Sequence, residues 1–565
     1  MDRRRLMQLL ALAVLAACHG AAPSTTPFPH AGLARTADGA RGMVVSGSPI
    51  ASAVGRDVLS RGGNAVDAAV AVAFALAVVH PEAGNLGGGG FMLVRTSAGL
   101  VSALDYRETA PAAASRDMYL DASGQRTDRS VTGQLASGVP GTVAGLAAAH
   151  GRFGRLAWRE LVAPAVELAR KGFVIDSYRS VSIASDTARL RLFPASAASF
   201  LPGGHPPERG STLVQPDLAA TLERVRDSGA VGFYRGRTAE LIVAEMQRGG
   251  GIISGADLAA YQPMWREPIR VSYRGHTIYS MAPVSSGGVT LALLLNIMEG
   301  WSGLHFGSVE LLHREAEAMR RAFTERNRRL GDPAFVSIPL PMLLSKRFAD
   351  SLRAGIDLTR ATPTPAFDPA IRDRESTTHF SIVDGEGMAV SSTTTLNNSY
   401  GSAVTVTGAG FLLNDEMDDF ATAPGKPNMY GLVEGEANAI APGKRMLSAM
   451  TPSMVVDSAG QLLLVLGTPG GPTIITQVYH VISNILDHGM TLSEAVEAPR
   501  LHHQALPDRI QLERGFPDST LTALRALGHE VALRSPMGDV EAIIRTPKGW
   551  RGVSDPRRGG GPAGY

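Results

Sequence analysis

Cysteine, charge imbalance and membrane-length apolar runs are all scarce in this chain, and each scarcity removes a class of function. The 565 residues contain one cysteine, Cys18, so no intrachain disulfide can form and no cysteine cluster can hold zinc. Lys plus Arg number 54 against 52 Asp plus Glu, a net charge of +2, which gives no electrostatic footprint for nucleic acid. The strongly apolar stretch Ala65 to Val79 contains Asp67 and runs into His80-Pro81. It falls short of the roughly 20 residues of a membrane span and reads as a buried helix. Several catalytic signatures are also missing: there is no Gly-x-Ser-x-Gly elbow, no phosphate-binding Walker loop and no His-Glu-x-x-His. Gly87 to Gly90 lacks the spacing of a dinucleotide-binding turn. Adjacent His502 and His503 cannot both turn to one metal ion, so they read as a surface or structural pair.

What is present is a folded, turn-rich composition: 44% hydrophobic and 19% charged, with 63 glycines and 35 prolines. The length accommodates several domains or one large α/β unit. At the N-terminus, Asp2-Arg3-Arg4-Arg5 precedes a stretch from Leu6 to Ala17 that is apolar apart from Gln8 and ends in Leu15-Ala16-Ala17-Cys18. That is the pattern of an export signal. Leu-Ala-Ala-Cys also resembles the bacterial lipobox, which implies cleavage after residue 17 and a lipid anchor on Cys18. The absence of Asp after the cysteine resembles outer-membrane sorting, with a periplasmic location. Residues 18–40, rich in Ala, Ser, Thr and Pro, are expected to be a flexible tether.

Helical patterns cover Ala51 to Arg61, Asn64 to Val79 with Asn64 as N-cap, Trp158 to Lys171 and Val309 to Gly331. A strand is expected at Phe91 to Arg95, and residues 355–372, dense in proline and threonine, form an exposed connection. Beyond it, alternation from Thr377 to Val383, a Gly385-Glu386-Gly387 turn and renewed alternation from Met388 to Leu396 predict a β-hairpin. Counting back from a three-residue loop sets Asp384 against Met388 and Thr377 directly opposite Thr395. Strands at Met454 to Val456 and Leu462 to Leu466, then a helix from Thr473 to Asp487, complete the outline.

The hairpin begins Glu375-Ser376-Thr377-Thr378-His379-Phe380-Ser381. This run resembles the small-subunit start of the γ-glutamyltranspeptidase family, within the N-terminal-nucleophile hydrolases. The resemblance continues through Thr395-Leu396-Asn397, Leu413 to Phe420, Pro427 to Leu432, Lys444 to Ser448, Pro469-Gly470-Gly471, Ser554 to Arg557 and Ala563-Gly564-Tyr565. Upstream, Gly63 to Ala69, Gly87 to Phe91 and Asp105-Tyr106-Arg107-Glu108 fit the same family.

The resemblance implies an α/β (α+β) fold, a four-layer αββα sandwich built as one interwoven unit. It also implies autocatalytic cleavage between Ser376 and Thr377, giving a large subunit (residues 41–376) and a small catalytic subunit (residues 377–565) that stay together as a heterodimer. Thr377 would then be the nucleophile with its own α-amine as base, Thr395 its orienting partner, and Gly470 and Gly471 the oxyanion donors. Arg107 would clamp the α-carboxylate of a γ-glutamyl donor such as glutathione, with Ser448 beside it. Asn397, Glu416 and Asp419 would meet the amino group, and Tyr430 would close over the site. Acceptors are water, amino acids or dipeptides, and no metal or organic cofactor is implied. Two departures bear on specificity: Ser448-Ala449 stands where the family commonly has Ser-Ser, and Glu416 is acidic where some relatives carry an amide. The alternatives are an acylase of the same fold that takes glutaryl-type or cephalosporin side chains, and a silent surface-anchored binding protein.

Overall fold

The computed structural model describes residues 29–363 and 375–565, with only the backbone of Glu375 and Ser376. The expected signal segment, Cys18, part of the tether and connection, and the Ser376 side chain therefore lie outside the described residues. Two seven-stranded sheets form the centre. The first runs, edge to edge, Arg35–Gly39, Gly549–Ser554, Glu541–Thr546, Leu462–Gly467, Ser453–Val456, His276–Ser280 and Ile269–Tyr273. The second runs Gly561–Gly564, Met43–Ser46, Glu375–Val383, Ala389–Asn398, Gly89–Arg95, Val101–Asp105 and Met264–Arg266. Both sheets draw strands from before and after residue 377. Helices Pro49–Ser60 and Ala65–Val79 cover the second sheet, helices Gly287–Met298 and Thr473–Leu486 cover the first, and the two sheets face each other between them. This is the αββα sandwich that the family resemblance implied.

Helix Ala65–Val79 shows why these residues adopt this structure. It is apolar all round, and every residue is buried, as befits a helix sandwiched between a sheet and other helices. Its start is fixed by a capping box. Asn64 Oδ1 accepts from the N–H groups of Val66 and Asp67 (3.0 and 2.9 Å), and the Asp67 carboxylate accepts from Asn64 N (3.0 Å). The hairpin turn locks onto the same helix end. Asp384 Oδ2 accepts from Ala65 N (2.9 Å), while Oδ1 accepts from Glu386 N and Met388 N (2.9 and 3.0 Å). One carboxylate thereby sets the turn and docks it on a helix N-terminus, where negative charge is favoured.

The hairpin register is the expected one, with Thr377 opposite Thr395 and Val383 opposite Ala389. Phe380 and Ile382 join the apolar core under the helices. The alternate residues point between the sheets, where Val383 joins the other apolar cluster and His379 and Ser381 are polar. The His379 ring lies against Gly467, where an added Cβ would come within 2.3 Å of it. Ser381 Oγ donates to Glu541 O (2.9 Å), and Ser391 Oγ donates to Leu466 O (3.0 Å). Because the Ser381 hydrogen is committed, its oxygen accepts from His379 Nε2 (3.1 Å), and His379 Nδ1 then accepts from Thr393 Oγ1 (2.8 Å). Burial pushes His379 down to about 3, so the ring is neutral.

One expectation needs correction. The tether predicted through residue 40 ends earlier, because Arg35–Gly39 form the edge strand of the first sheet, in register with Gly549–Ser554. The segment Arg-Thr-Ala-Asp-Gly has no apolar alternation to announce a strand. Its pairing is supplied by backbone hydrogen bonds and the Arg551–Asp38 ion pair (2.8 Å). His502 and His503 form the structural pair, fully buried, with His502 between Thr476 Oγ1 (3.0 Å) and Gln504 Oε1 (2.9 Å) and His503 beside Asp508 (3.2 Å). Among the described residues no group of three potential ligands could hold a metal ion, and no helix is long and apolar enough to cross a membrane.

Candidate active site

At the open end of the hairpin the ladder breaks. The register shifts between Glu375 and Thr377, and Asn397 turns to φ +75°, a left-handed conformation that asparagine tolerates. That turn aims Asn397 N at Thr395 Oγ1 (2.8 Å), which also receives Thr377 Oγ1 at 3.5 Å. Two threonine hydroxyls are thus cross-strand neighbours, with the second oriented by a backbone N–H. Thr377 is only 5% exposed.

Gly470 and Gly471 sit between strand Leu462–Gly467 and helix Thr473–Leu486, at φ +136° and +54°. Their carbonyls start the helix: Gly470 O accepts from Thr473 N and Oγ1 (3.1 and 2.7 Å), and Gly471 O accepts from Ile474 N (3.2 Å). With the carbonyls turned into the helix, Gly471 lines the same cavity as Thr377. A Cβ on Gly471 would meet the Tyr430 ring at 3.0 Å, so both the backbone angle and the ring require glycine here.

Arg107 lies just beyond strand Val101–Asp105, tied by its N–H to Asp105 Oδ1 (2.9 Å). Its side chain is fully buried. Nε donates to Met446 O and Nη2 to Leu447 O, both at 3.3 Å. Nη2 also pairs with Asp419, and Nη1 approaches Glu416 at 2.6 Å and Glu108 at 3.6 Å. The Glu416 approach is a charge contact without an aligned hydrogen bond. A single 3₁₀ turn, Glu416–Asp419, accounts for the convergence. Residues i and i+3 eclipse in such a turn, so Glu416 and Asp419 share the Arg107 side, while Asp418 turns away to Arg126 and Ser130.

One guanidinium cannot keep three buried carboxyl groups ionised. Burial outweighs the Arg107 charge, pushing Asp419 up to about 6 and Glu108 up to about 8, and Glu416 well above the usual carboxylate range. Burial opposes the charge on Arg107 too, but Glu416, Asp419 and Glu108 together raise its pKa. The cluster is therefore rich in acceptors and short of positive charge.

The remaining wall is the segment around Tyr430. Asn428 Oδ1 accepts from Tyr430 N and Leu432 N (3.0 and 3.1 Å), forming the turn that presents the tyrosine. The Tyr430 hydroxyl then donates to Asn397 Oδ1 (2.9 Å) and Asn397 O (3.1 Å). Ser448 Oγ accepts from Met450 N (3.2 Å), and Ala449 presents a methyl group where a hydroxyl was the expected pattern. Thr377, Thr395, Asn397, Arg107, Glu416 and Asp419 line one cavity with Tyr430, Ser448, Ala449 and Gly471. Gly470 is adjacent to this cavity without lining it. Arg326, Asn428 and Glu434 do line it, and sequence reasoning singled out none of them. Arg326 is one of several arginines between residues 320 and 329, and nothing local distinguishes it.

The family model described as Gamma-glutamyltranspeptidase matches residues 51–565. The glutathione hydrolase proenzyme of Escherichia coli (strain K12) is 46% identical, over 92% of this chain and 90% of its own. The acylase ACY 1 proenzyme of Pseudomonas sp. (strain V22) is 40% identical, over 91% and 92%. Among solved structures, cephalosporin acylase from Bacillus halodurans superimposes with a TM-score of 0.84 at 27% identity, over 96% of this chain and 99% of that one. Helicobacter pylori gamma-glutamyltranspeptidase gives a TM-score of 0.55 at 44% identity, over 56% and 91%.

Proposed function

The chain belongs to the γ-glutamyltranspeptidase family, and from that membership we propose that it hydrolyses glutathione and other γ-glutamyl compounds, or transfers their acyl group, after cutting itself before Thr377. The cut divides residues 41–376 from residues 377–565. Thr377 Oγ1 attacks the Ser376 carbonyl carbon, the C–N bond breaks with transfer of a proton to nitrogen, and water hydrolyses the resulting ester. Thr377 is left with a free α-amine beside its hydroxyl. In turnover that amine takes the hydroxyl proton as Oγ1 attacks the γ-glutamyl carbonyl carbon. Backbone N–H groups of Gly470 and Gly471 meet the oxyanion. The amine product departs with the proton, and water or the amine of an amino acid or dipeptide then releases the acyl group from Thr377.

The observation that carries the reading is the Arg107 cluster beside the paired threonines. A γ-glutamyl donor carries an α-carboxylate and an α-ammonium on one carbon. Its carboxylate replaces the Arg107 contacts, and its ammonium supplies the positive charge that Asp419 and Glu416 lack. Ser448, Asn397 and the Tyr430 segment complete the enclosure. The test is a denaturing gel with N-terminal sequencing beside a Thr377→Ala variant, followed by turnover of γ-glutamyl-p-nitroanilide. A small fragment beginning Thr-Thr-His-Phe-Ser, absent from the variant, with release of p-nitroaniline is the expected result. An intact native chain would leave a silent binding protein as the reading.

A second reading, an acylase accepting glutaryl or cephalosporin side chains, is favoured by the acylase relatives. Turnover of glutaryl-p-nitroanilide, which lacks the α-amino group, separates the two readings. Equal rates would mean that Asp419 reads no ammonium. The Leu-Ala-Ala-Cys sequence supports export, with Cys18 as an outer-membrane lipid anchor facing the periplasm. The mass of the mature N-terminal peptide tests this.

A further inference from the structure

The cavity wall contains a second buried ion pair, used by none of the steps above. Arg326, near the end of helix Val309–Arg329, places Nη1 2.5 Å from Glu434 Oε1, and both side chains are almost fully buried. The same nitrogen reaches Asn327 Oδ1 (2.7 Å), and Nε donates to Ser286 Oγ (2.9 Å). Ser286 passes the contact on, because its N–H and its hydroxyl both donate to Ser448 O (2.7 and 2.6 Å). In the other direction Glu434 Oε2 accepts from Asn438 Nδ2, which also donates to Asp419 O (2.6 Å). Asn438 Oδ1 accepts from Leu447 N (3.0 Å). From one charged pair, an arm therefore runs to the residues beside the donor carboxylate and another to the residue facing its ammonium. Glu434 lies four residues beyond Tyr430, so the pair also moors the closing segment to a long helix.

We propose that Arg326 and Glu434 are positioning residues that hold the Ser448 side and the Asp419 side of the site at the separation of an α-amino acid headgroup. They would thereby set the preference for γ-glutamyl over glutaryl donors. This rests on the γ-glutamyl reading above. Stability alone gives little reason for the pair, since apolar residues of similar size commonly serve as well in a buried position. What an apolar pair cannot supply is the planar fork that ties Ser286 and Glu434 to one rigid group.

The experiment compares processed wild type with Arg326→Met/Glu434→Leu, which removes both charges and strands neither, and with Arg326→Lys. The lysine keeps a charge for Glu434 but cannot also reach Ser286. For the double variant, KM for γ-glutamyl-p-nitroanilide is expected to rise about tenfold, the effect of about one lost charge-assisted hydrogen bond. Its selectivity over glutaryl-p-nitroanilide should fall by a similar factor, with kcat changed far less. Arg326→Lys should shift in the same direction by less, and it decides the matter if the double variant does not fold. Unchanged selectivity and KM in a folded, processed variant would overturn the proposal, as would an equal loss on both donors. Failure of the wild type to turn over the γ-glutamyl donor would instead sink the parent reading, so the two failures are distinct.

Discussion

Replacing Arg107 by lysine tests the proposed headgroup recognition most directly. The Arg107 fork donates to Met446 O, Leu447 O and Asp419 and holds Glu416 in charge contact. A bound carboxylate would take two parallel bonds from this fork, whereas a lysine ammonium keeps the charge but offers one bond along that direction. The loss of one charge-assisted hydrogen bond is about 1.5–3 kcal/mol. At about 1.4 kcal/mol per decade, that is roughly a 10- to 150-fold fall in kcat/KM. The lysine also leaves the Met446 and Leu447 carbonyls short of a donor, so the larger figure is the better expectation. Self-cleavage, which uses Thr377 and its own peptide bond, should proceed, and a gel establishes that before kinetics begin. The readout is γ-glutamyl-p-nitroanilide compared with the 4-aminobutyryl analogue, which lacks the α-carboxylate. Discrimination between them should collapse by the same factor. A processed Arg107→Lys enzyme with kcat/KM within about threefold of wild type would refute the clamp.

Acidification provides a second test. With Asp419 pushed up to about 6, lowering the pH through that value protonates the group facing the ammonium. KM for the γ-glutamyl donor should rise below about pH 6, while that for glutaryl-p-nitroanilide should rise less; parallel profiles would exclude Asp419 as the ammonium reader. Gly471→Ala places a Cβ 3.0 Å from the Tyr430 ring at φ +54°, so the closing segment must shift. A fall in kcat of at least about tenfold, equivalent to about 1.4 kcal/mol, is expected in single-turnover kinetics, with processing intact. Asp384→Ala strands the N–H groups of Ala65, Glu386 and Met388 and should cost about 2–4 kcal/mol. Urea unfolding of the uncut Thr377→Ala chain, with and without the Asp384 change, measures it.

The hairpin was legible from its alternation and its Gly-Glu-Gly turn, and a three-residue loop at 385–387 gives the observed register, with Thr377 against Thr395. Helix Ala65–Val79 was legible from its cap and its continuous apolar run. The αββα layering and the roles proposed for Arg107, Asp419 and Gly470 came from ordered resemblance across the chain, since no local pattern distinguishes them from other arginines, aspartates and glycine turns. Three features lay beyond either route. Polar alternation at His379 and Ser381 resembles a solvated strand face, yet that face meets the other sheet, and sequence cannot tell water from a polar interior. The edge strand Arg35–Gly39 lacks the apolar pattern by which strands are recognised. Arg326 and Glu434 are 108 positions apart, and only the fold brings them together.

The way strands on either side of residue 377 interleave has a consequence for the life of the molecule. Gly549–Ser554 lies between Arg35–Gly39 and Glu541–Thr546, and Ala389–Asn398 lies between Glu375–Val383 and Gly89–Arg95. Neither piece could assemble its own sheets once the peptide link is gone. The uncut chain can unfold and return as a unimolecular event, but the cut enzyme would have to find its other half at the correct register among many exposed strand edges. The proposed cleavage before Thr377 would thus erase the route by which the shape was reached. Dilution after denaturation should restore the uncut Thr377→Ala chain and leave the mature enzyme as aggregate, so that the mature protein's persistence is governed by how slowly it opens.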